Sequence, residues 1–161
     1  KECPWATLGK VGGRKRNVIT SLELDAAVME ENNLRFQAKY KKIEENEVRF
    51  QEIMCDDAEY LLVAFGSSAR ICQKVVELAR EQGIKLGLLR PITLWPFPTN
   101  ILKEYADKVK GMLVVELNAG QMVEDARLAV NGKVKVEHFG RLGGIVFTPD
   151  EILHALKEKL F

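Results

Sequence analysis

From Glu59 to the C-terminus, short apolar runs alternate with stretches of helical periodicity. Tyr60-Leu61-Leu62-Val63-Ala64-Phe65 is an unbroken apolar run stopped by Gly66, the pattern of a strand buried on both faces. Leu86 to Leu89 and Met112-Leu113-Val114-Val115-Glu116-Leu117 repeat it. Lys133-Val134-Lys135-Val136-Glu137-His138-Phe139 alternates strictly, which predicts one exposed face and a place at a sheet edge. Between these runs, Ile71, Cys72, Val75, Val76 and Ala79 mark a helix, with Ser67 or Ser68 as its cap and Gly83 just past its end. Ile101, Leu102, Tyr105 and Val109 mark a second helix, capped by Thr99 or Asn100. A third runs from Gly120 to Val130 and ends at Asn131-Gly132. The last has the clearest start: Thr148 as cap, Pro149 at the first helical position and Glu151 three residues on, before a stripe of Ile152, Leu153, Leu156 and Leu160. Strands separated by helices imply right-handed crossovers and a parallel sheet in three layers, an α/β fold.

The N-terminal third reads differently. Residues 1–22 are irregular: Gly9, Gly12 and Gly13 break any period, and Lys10, Arg14, Lys15 and Arg16 make the stretch basic. With no aromatic beyond Trp5 it lacks the build of a nucleic-acid surface and reads as a solvated linker, or a strap lying on a partner. Asp25 to Glu52 has no Gly or Pro and predicts one long helix. Met29, Phe36, Tyr40, Ile43, Phe50 and Met54 form its apolar stripe, broken by Asn33 and Glu47. Such a helix spans about 42 Å, more than the core of a small domain needs. Part of it is expected to pack outside the domain; the stripe is too short and polar for a coiled coil. The expected division is 1–56, linker and helix, and 57–161, the α/β domain.

A net charge of +1 gives no global pull towards nucleic acid or membrane, and no apolar run approaches the 18 or more residues of a span. Cys3, Cys55 and Cys72 are odd in number and far apart, which suits a reducing cytoplasm better than a disulfide framework or a C-x-x-C metal site. No signal peptide is recognised, and a first residue of Lys1 leads to the expectation of further sequence upstream.

In an open α/β sheet, ligands and partners meet the carboxyl ends of the strands. Here these are Gly66-Ser67-Ser68, Arg90-Pro91, Asn118-Ala119-Gly120-Gln121 and Gly140-Arg141-Leu142-Gly143-Gly144. Their small and polar residues suit either an anion or cofactor pocket at helix N-termini, or turns with another subunit docked on them. Neither G-x-G-x-x-G nor G-x-x-x-x-G-K-[ST] occurs, and G-x-S-x-G is absent, so Ser67 and Ser68 have no identified base. His154 reads as a surface residue in mid-helix and His138 as a strand-end residue, packed or solvated. Glu116, ending a buried strand, suits a general base or, more simply, a structural bond to loop amides. Cys72 reads as a small core residue.

Arg90-Pro91-Ile92-Thr93-Leu94-Trp95-Pro96-Phe97-Pro98 carries three prolines and predicts a rigid, extended exit from its strand. Together with Cys3-Pro4-Trp5-Ala6-Thr7, Ala58-Glu59-Tyr60 through Gly66-Ser67-Ser68-Ala69-Arg70-Ile71, and Glu116 to Asp125, it resembles the end of the alpha subunit of 2-oxoacid:ferredoxin oxidoreductases, most of all those for branched-chain 2-oxo acids (2-oxoisovalerate). The resemblance runs from about Pro4 to the C-terminus. It implies a fold like the transketolase C-terminal domain: five strands in the order 1-3-2-4-5 with one antiparallel edge. The fifth strand is sought at Gly144-Ile145-Val146-Phe147 or Val18-Ile19. It also implies a holoenzyme that turns a 2-oxo acid and coenzyme A into acyl-CoA and carbon dioxide, using thiamine diphosphate with Mg²⁺ and passing electrons through iron–sulfur clusters to ferredoxin. Partners would be the N-terminal domain of the same subunit, beta and gamma/delta subunits, and further copies. The chain has no Gly-Asp-Gly diphosphate motif and no cysteine set for a cluster, so no catalytic, cofactor or metal residue carries over. Gly66, Ser67, Ser68, Arg90, Pro91, Asn118, Gly120 and Gln121 are the expected docking surface. An independent α/β domain for a small ligand is the other reading.

Overall fold

The computed structural model describes Gly9, residues 11–18 and residues 21–161. Cys3-Pro4-Trp5-Ala6-Thr7 and Ile19 lie outside the described residues. The chain divides into two compact units, Lys1–Lys39 and Tyr40–Phe161. After a 3-10 turn at Val11–Gly13 comes α1, Ala26–Asn46, which buries none of its residues. Asp25 starts it, its carboxylate accepting from the Ala27 and Val28 amides at 2.9 and 3.1 Å.

The elements that follow are β1 (Phe50–Ile53), β2 (Tyr60–Ala64), α2 (Gly66–Glu81), β3 (Leu86–Pro91), α3 (Thr99–Ala106), β4 (Gly111–Glu116), α4 (Met122–Val130), β5 (Lys135–Gly140) and α5 (Pro149–Leu160). The strands form one sheet, β1-β3-β2-β4-β5, parallel except for β1, which runs antiparallel to β3. This is the five-stranded α/β fold with one antiparallel edge expected above. Two local expectations fail. The long helix stops at Asn46 and not at Glu52, and the fifth strand is Phe50–Ile53, not Gly144–Phe147 or Val18. Phe50 pairs with Pro91 and Ile53 with Leu88, so backbone pairing with β3 overrides the helix-forming Gln51 and Glu52. β1 lies N-terminal to the boundary expected at residues 56 and 57.

The core has two faces. Leu61, Val63, Leu89, Met112 and Val114 pack under α3 and α4. Leu62, Ala64, Leu86, Leu88, Leu113 and Val115 pack under α2 and α5. Alternation along β2 and β4 supplies both, which is why those runs are apolar throughout. At about 1.5–3 kcal/mol per buried Leu or Val, these two layers dominate the stability.

Helix ends show what local sequence controls. The Thr148 box forms as expected, Glu151 N donating to Thr148 Oγ1 at 3.3 Å and Thr148 N to Glu151 Oε2 at 2.8 Å. Gly83 follows α2, its amide donating to Arg80 O and that of Ile84 to Ala79 O. The expected caps of the other helices do not form. Phe65 and Pro98 precede α2 and α3 with no side-chain cap, and Ser68 is buried. Nor is Arg90–Pro98 an extended exit. β3 runs on to Pro91, and the chain then bends back, with the Ile92 and Thr93 amides donating to Arg49 O at 2.9 and 3.1 Å and Thr93 Oγ1 to Pro96 O at 3.0 Å.

Candidate functional site

The carboxyl ends of β3, β2, β4 and β5 lie side by side, because these strands are adjacent and parallel. Two clusters form there. At the β4 end, Glu116 is fully buried and surrounded by donors. Met122 N donates to its Oε1 at 2.8 Å, and Val123 N and Gln121 N to Oε2 at 3.1 and 3.2 Å. Asn118 Nδ2 adds a bond at 3.2 Å, and Gly120 N donates to Asn118 Oδ1 at 2.7 Å. A carboxylate from the preceding strand thus does for α4 what a capping side chain would do, and α4 starts at Met122 rather than Gly120. With its oxygens held by amides, Glu116 has the structural role and not that of a general base.

His138 closes this cluster. Its Nε2 lies 3.8 Å from Glu116 Oε2, is buried and has no hydrogen-bond partner among the described residues. Burial, the largest influence, lowers its pKa below 6.5; Glu116 opposes this, and Arg127 and Lys159 add to it. Gly140 is required beside it: a Cβ there would stand 2.7 Å from the ring's Cε1.

At the β2–β3 end, Gly66, Ala69, Arg70, Gln73 and Arg90 line a small cavity of about 60 Å³. Arg90 Nη1 donates to Gln51 Oε1 of β1 at 3.2 Å. Arg70 and Gln73 were not singled out from the sequence as site residues, and their signal was faint: polar positions one and two turns into a helix that follows a strand-end glycine.

Of the residues expected to dock a partner, Gly66, Ser67 and Gln121 are exposed, and Arg90, Asn118 and Gly120 are half-buried. Ser68 and Pro91 are buried and offer no surface. Ile92, Leu94 and Trp95, which follow Pro91, are exposed by 56, 46 and 54%. His154 is exposed on α5, as expected.

Among the described residues no three His, Cys, Asp or Glu side chains converge as a metal site would, and no helix is long and apolar enough to cross a membrane. Cys55 and Cys72 are buried in separate core layers. Burial raises both thiol pKa values, and the Cys55 Sγ donates to Leu88 O at 3.3 Å.

Residues 58–152 match the profile of the pyruvate:ferredoxin oxidoreductase core domain II. The chain is 45% identical to the ketoisovalerate oxidoreductase subunit VorB of Methanothermobacter thermautotrophicus over 96% of its own length and 43% of that protein's. It is 34% identical to the 2-oxoglutarate synthase subunit KorA of Methanothermobacter marburgensis over 68% of its length and 29% of that protein's. Its fold matches the 2-oxoglutarate:ferredoxin oxidoreductase from Magnetococcus marinus with a TM-score of 0.73 at 20% identity, covering 86% of this chain and 24% of that one. A split-gene transketolase matches at 0.60 and 14% identity, over 70% of this chain and 41% of that one. The chain spans less than half the length of the curated relatives it matches. It belongs to the pyruvate:ferredoxin oxidoreductase core domain II family and is a homologue of 2-oxoacid:ferredoxin oxidoreductase subunits.

Proposed function

We propose that this chain is the non-catalytic C-terminal domain of the alpha subunit of a thiamine-diphosphate-dependent 2-oxoacid:ferredoxin oxidoreductase for branched-chain 2-oxo acids, and that it serves subunit assembly in the cytoplasm. The observation that carries the reading is the 45% identity to a ketoisovalerate oxidoreductase subunit across 96% of the chain, N-terminal segment included. The holoenzyme would convert a 2-oxo acid and coenzyme A to acyl-CoA and carbon dioxide, with two electrons passing to ferredoxin. Thiamine diphosphate supplies the carbanion chemistry when bound.

The described residues do not fit the cofactors. Two protonated, separately buried cysteines are no donor set for a cluster, and Glu116 is spent on backbone amides. The cofactors are therefore assigned to the N-terminal domain of the subunit and to its beta and gamma/delta partners. What this segment offers is surface: Gly66, Ser67, Asn118, Gly120 and Gln121 along the strand ends, next to exposed Ile92, Leu94 and Trp95. Apolar residues held by a bonded turn lose little entropy on association.

The test is assembly. Gly120 is unsuitable for it, because its φ is +106° and an added Cβ would lie 3.0 Å from Val123 Cγ1, so a bulky residue there would disturb the fold itself. Ser67→Trp and Gln121→Trp change exposed positions. In the full-length alpha subunit co-expressed with its beta subunit, each is expected to abolish the complex on size-exclusion chromatography. Normal assembly with only a raised KM for the 2-oxo acid would move the surface from docking to substrate binding.

A further inference from the structure

The cavity between α2 and β3 is lined on its polar side by hydrogen-bond donors. Arg70, Gln73 and Arg90 contribute to its wall, with Gly66 at the start of α2. Neither arginine has a carboxylate within ion-pair distance among the described residues. Arg90 is half-buried, and its Nη1 donates to Gln51 Oε1, which anchors the guanidinium at the wall. α2 has no side-chain cap, and its first residue, Gly66, lines the cavity. The mouth is open: a Cβ on Gly66 would meet nothing within 4 Å.

We propose that this cavity binds the phosphate group of a small phosphate monoester. Its volume of about 60 Å³ equals that of roughly two waters, room for one such group and not for a nucleotide. A phosphate monoester carries a charge of about −1.5 to −2 at neutral pH, which matches two unneutralised guanidiniums. Its three free oxygens can accept from the two planar arginine forks and the Gln73 amide together; a carboxylate has only two oxygens to offer. The proposal concerns the chain itself and does not depend on the assembly reading.

Calorimetric titration of the whole chain at about pH 7.5 and fixed ionic strength tests it, with inorganic phosphate, glycerol phosphate and acetate as probes. Saturable one-site binding of phosphate or of the ester is expected, with the stronger of the two identifying the source. Arg90→Gln and the exposed Arg70→Gln should each weaken it at least about tenfold, the loss of one charge-assisted bond. Lys74→Gln, a neighbouring exposed residue already paired with Glu77, should leave it unchanged. Phosphorus NMR line broadening gives the same comparison if the heats are small. Absence of saturable binding to the wild-type chain, equal affinity in Arg70→Gln, or acetate binding as tightly as phosphate would each overturn the proposal.

Discussion

At the β4 end of the sheet, a buried carboxylate accepts three backbone amides and starts α4; at the β2–β3 end, α2 starts beside two arginines and no acid. Both ends present a helix N-terminus at a strand's carboxyl end, the usual place for anions in this class of fold. Glu116 fills that role from within, so its end of the edge is finished chemistry and suited only to contact. The arginine end keeps its positive charge. The strand-end position alone therefore says little about ligand binding; what decides is whether the chain supplies its own anion.

The largest expected effect comes from removing the support of the open end. Gln51 of β1 holds Arg90, and β1 covers the edge of β3. Deleting residues 1–55 is expected to abolish the cooperative thermal transition, whereas deleting residues 1–39 should preserve it. A cooperative transition in the shorter chain would make β1 dispensable.

Next in size is Glu116→Ala, which strands the Gln121, Met122 and Val123 amides. A loss of about 3 kcal/mol or more in urea unfolding is expected. Arg70→Gln at the other end should stay within about 0.5 kcal/mol, because it removes an exposed charge with no ion-pair partner among the described residues. Similar losses in both would erase the contrast between the ends.

The smallest effect is on the pH dependence of the closed end. His138 has a folded pKa below 6.5, so the unfolded chain takes up the proton first. Its contribution to stability is complete above 6.5 and is lost as pH falls from 6.5 through the folded pKa. Denaturation midpoints should therefore drop modestly on going from pH 7 to mild acid, and His138→Gln should flatten that drop. An unchanged slope in the variant would mean that His138 is solvated like a free imidazole.

Much of the fold could be read in the sequence, because β2 and β4 are buried on both faces and the Thr148–Glu151 box is local. β1 could not: Phe50-Gln51-Glu52-Ile53 continues a helix-forming stretch, and only its pairing with residues 88–91 makes it a strand. Local rules also offered Ser67, Ser68 and Thr99 as caps where the chain uses none. Glu116 was recognisable as an acid ending an apolar run, and its structural role followed from the amides just after it. The arginine cavity joins residues about twenty positions apart through the β2–β3 pairing, which no periodicity encodes.

Residue-resolved amide exchange by NMR tests the contrast between the two ends most directly. Met122 and Val123, bonded to the buried Glu116, are expected to exchange slowly, on the scale of the helix interior, while Gly66 and Ser67 at the uncapped start of α2 exchange fast. Slow exchange at Gly66 and Ser67, or fast exchange at Met122 and Val123, would contradict it.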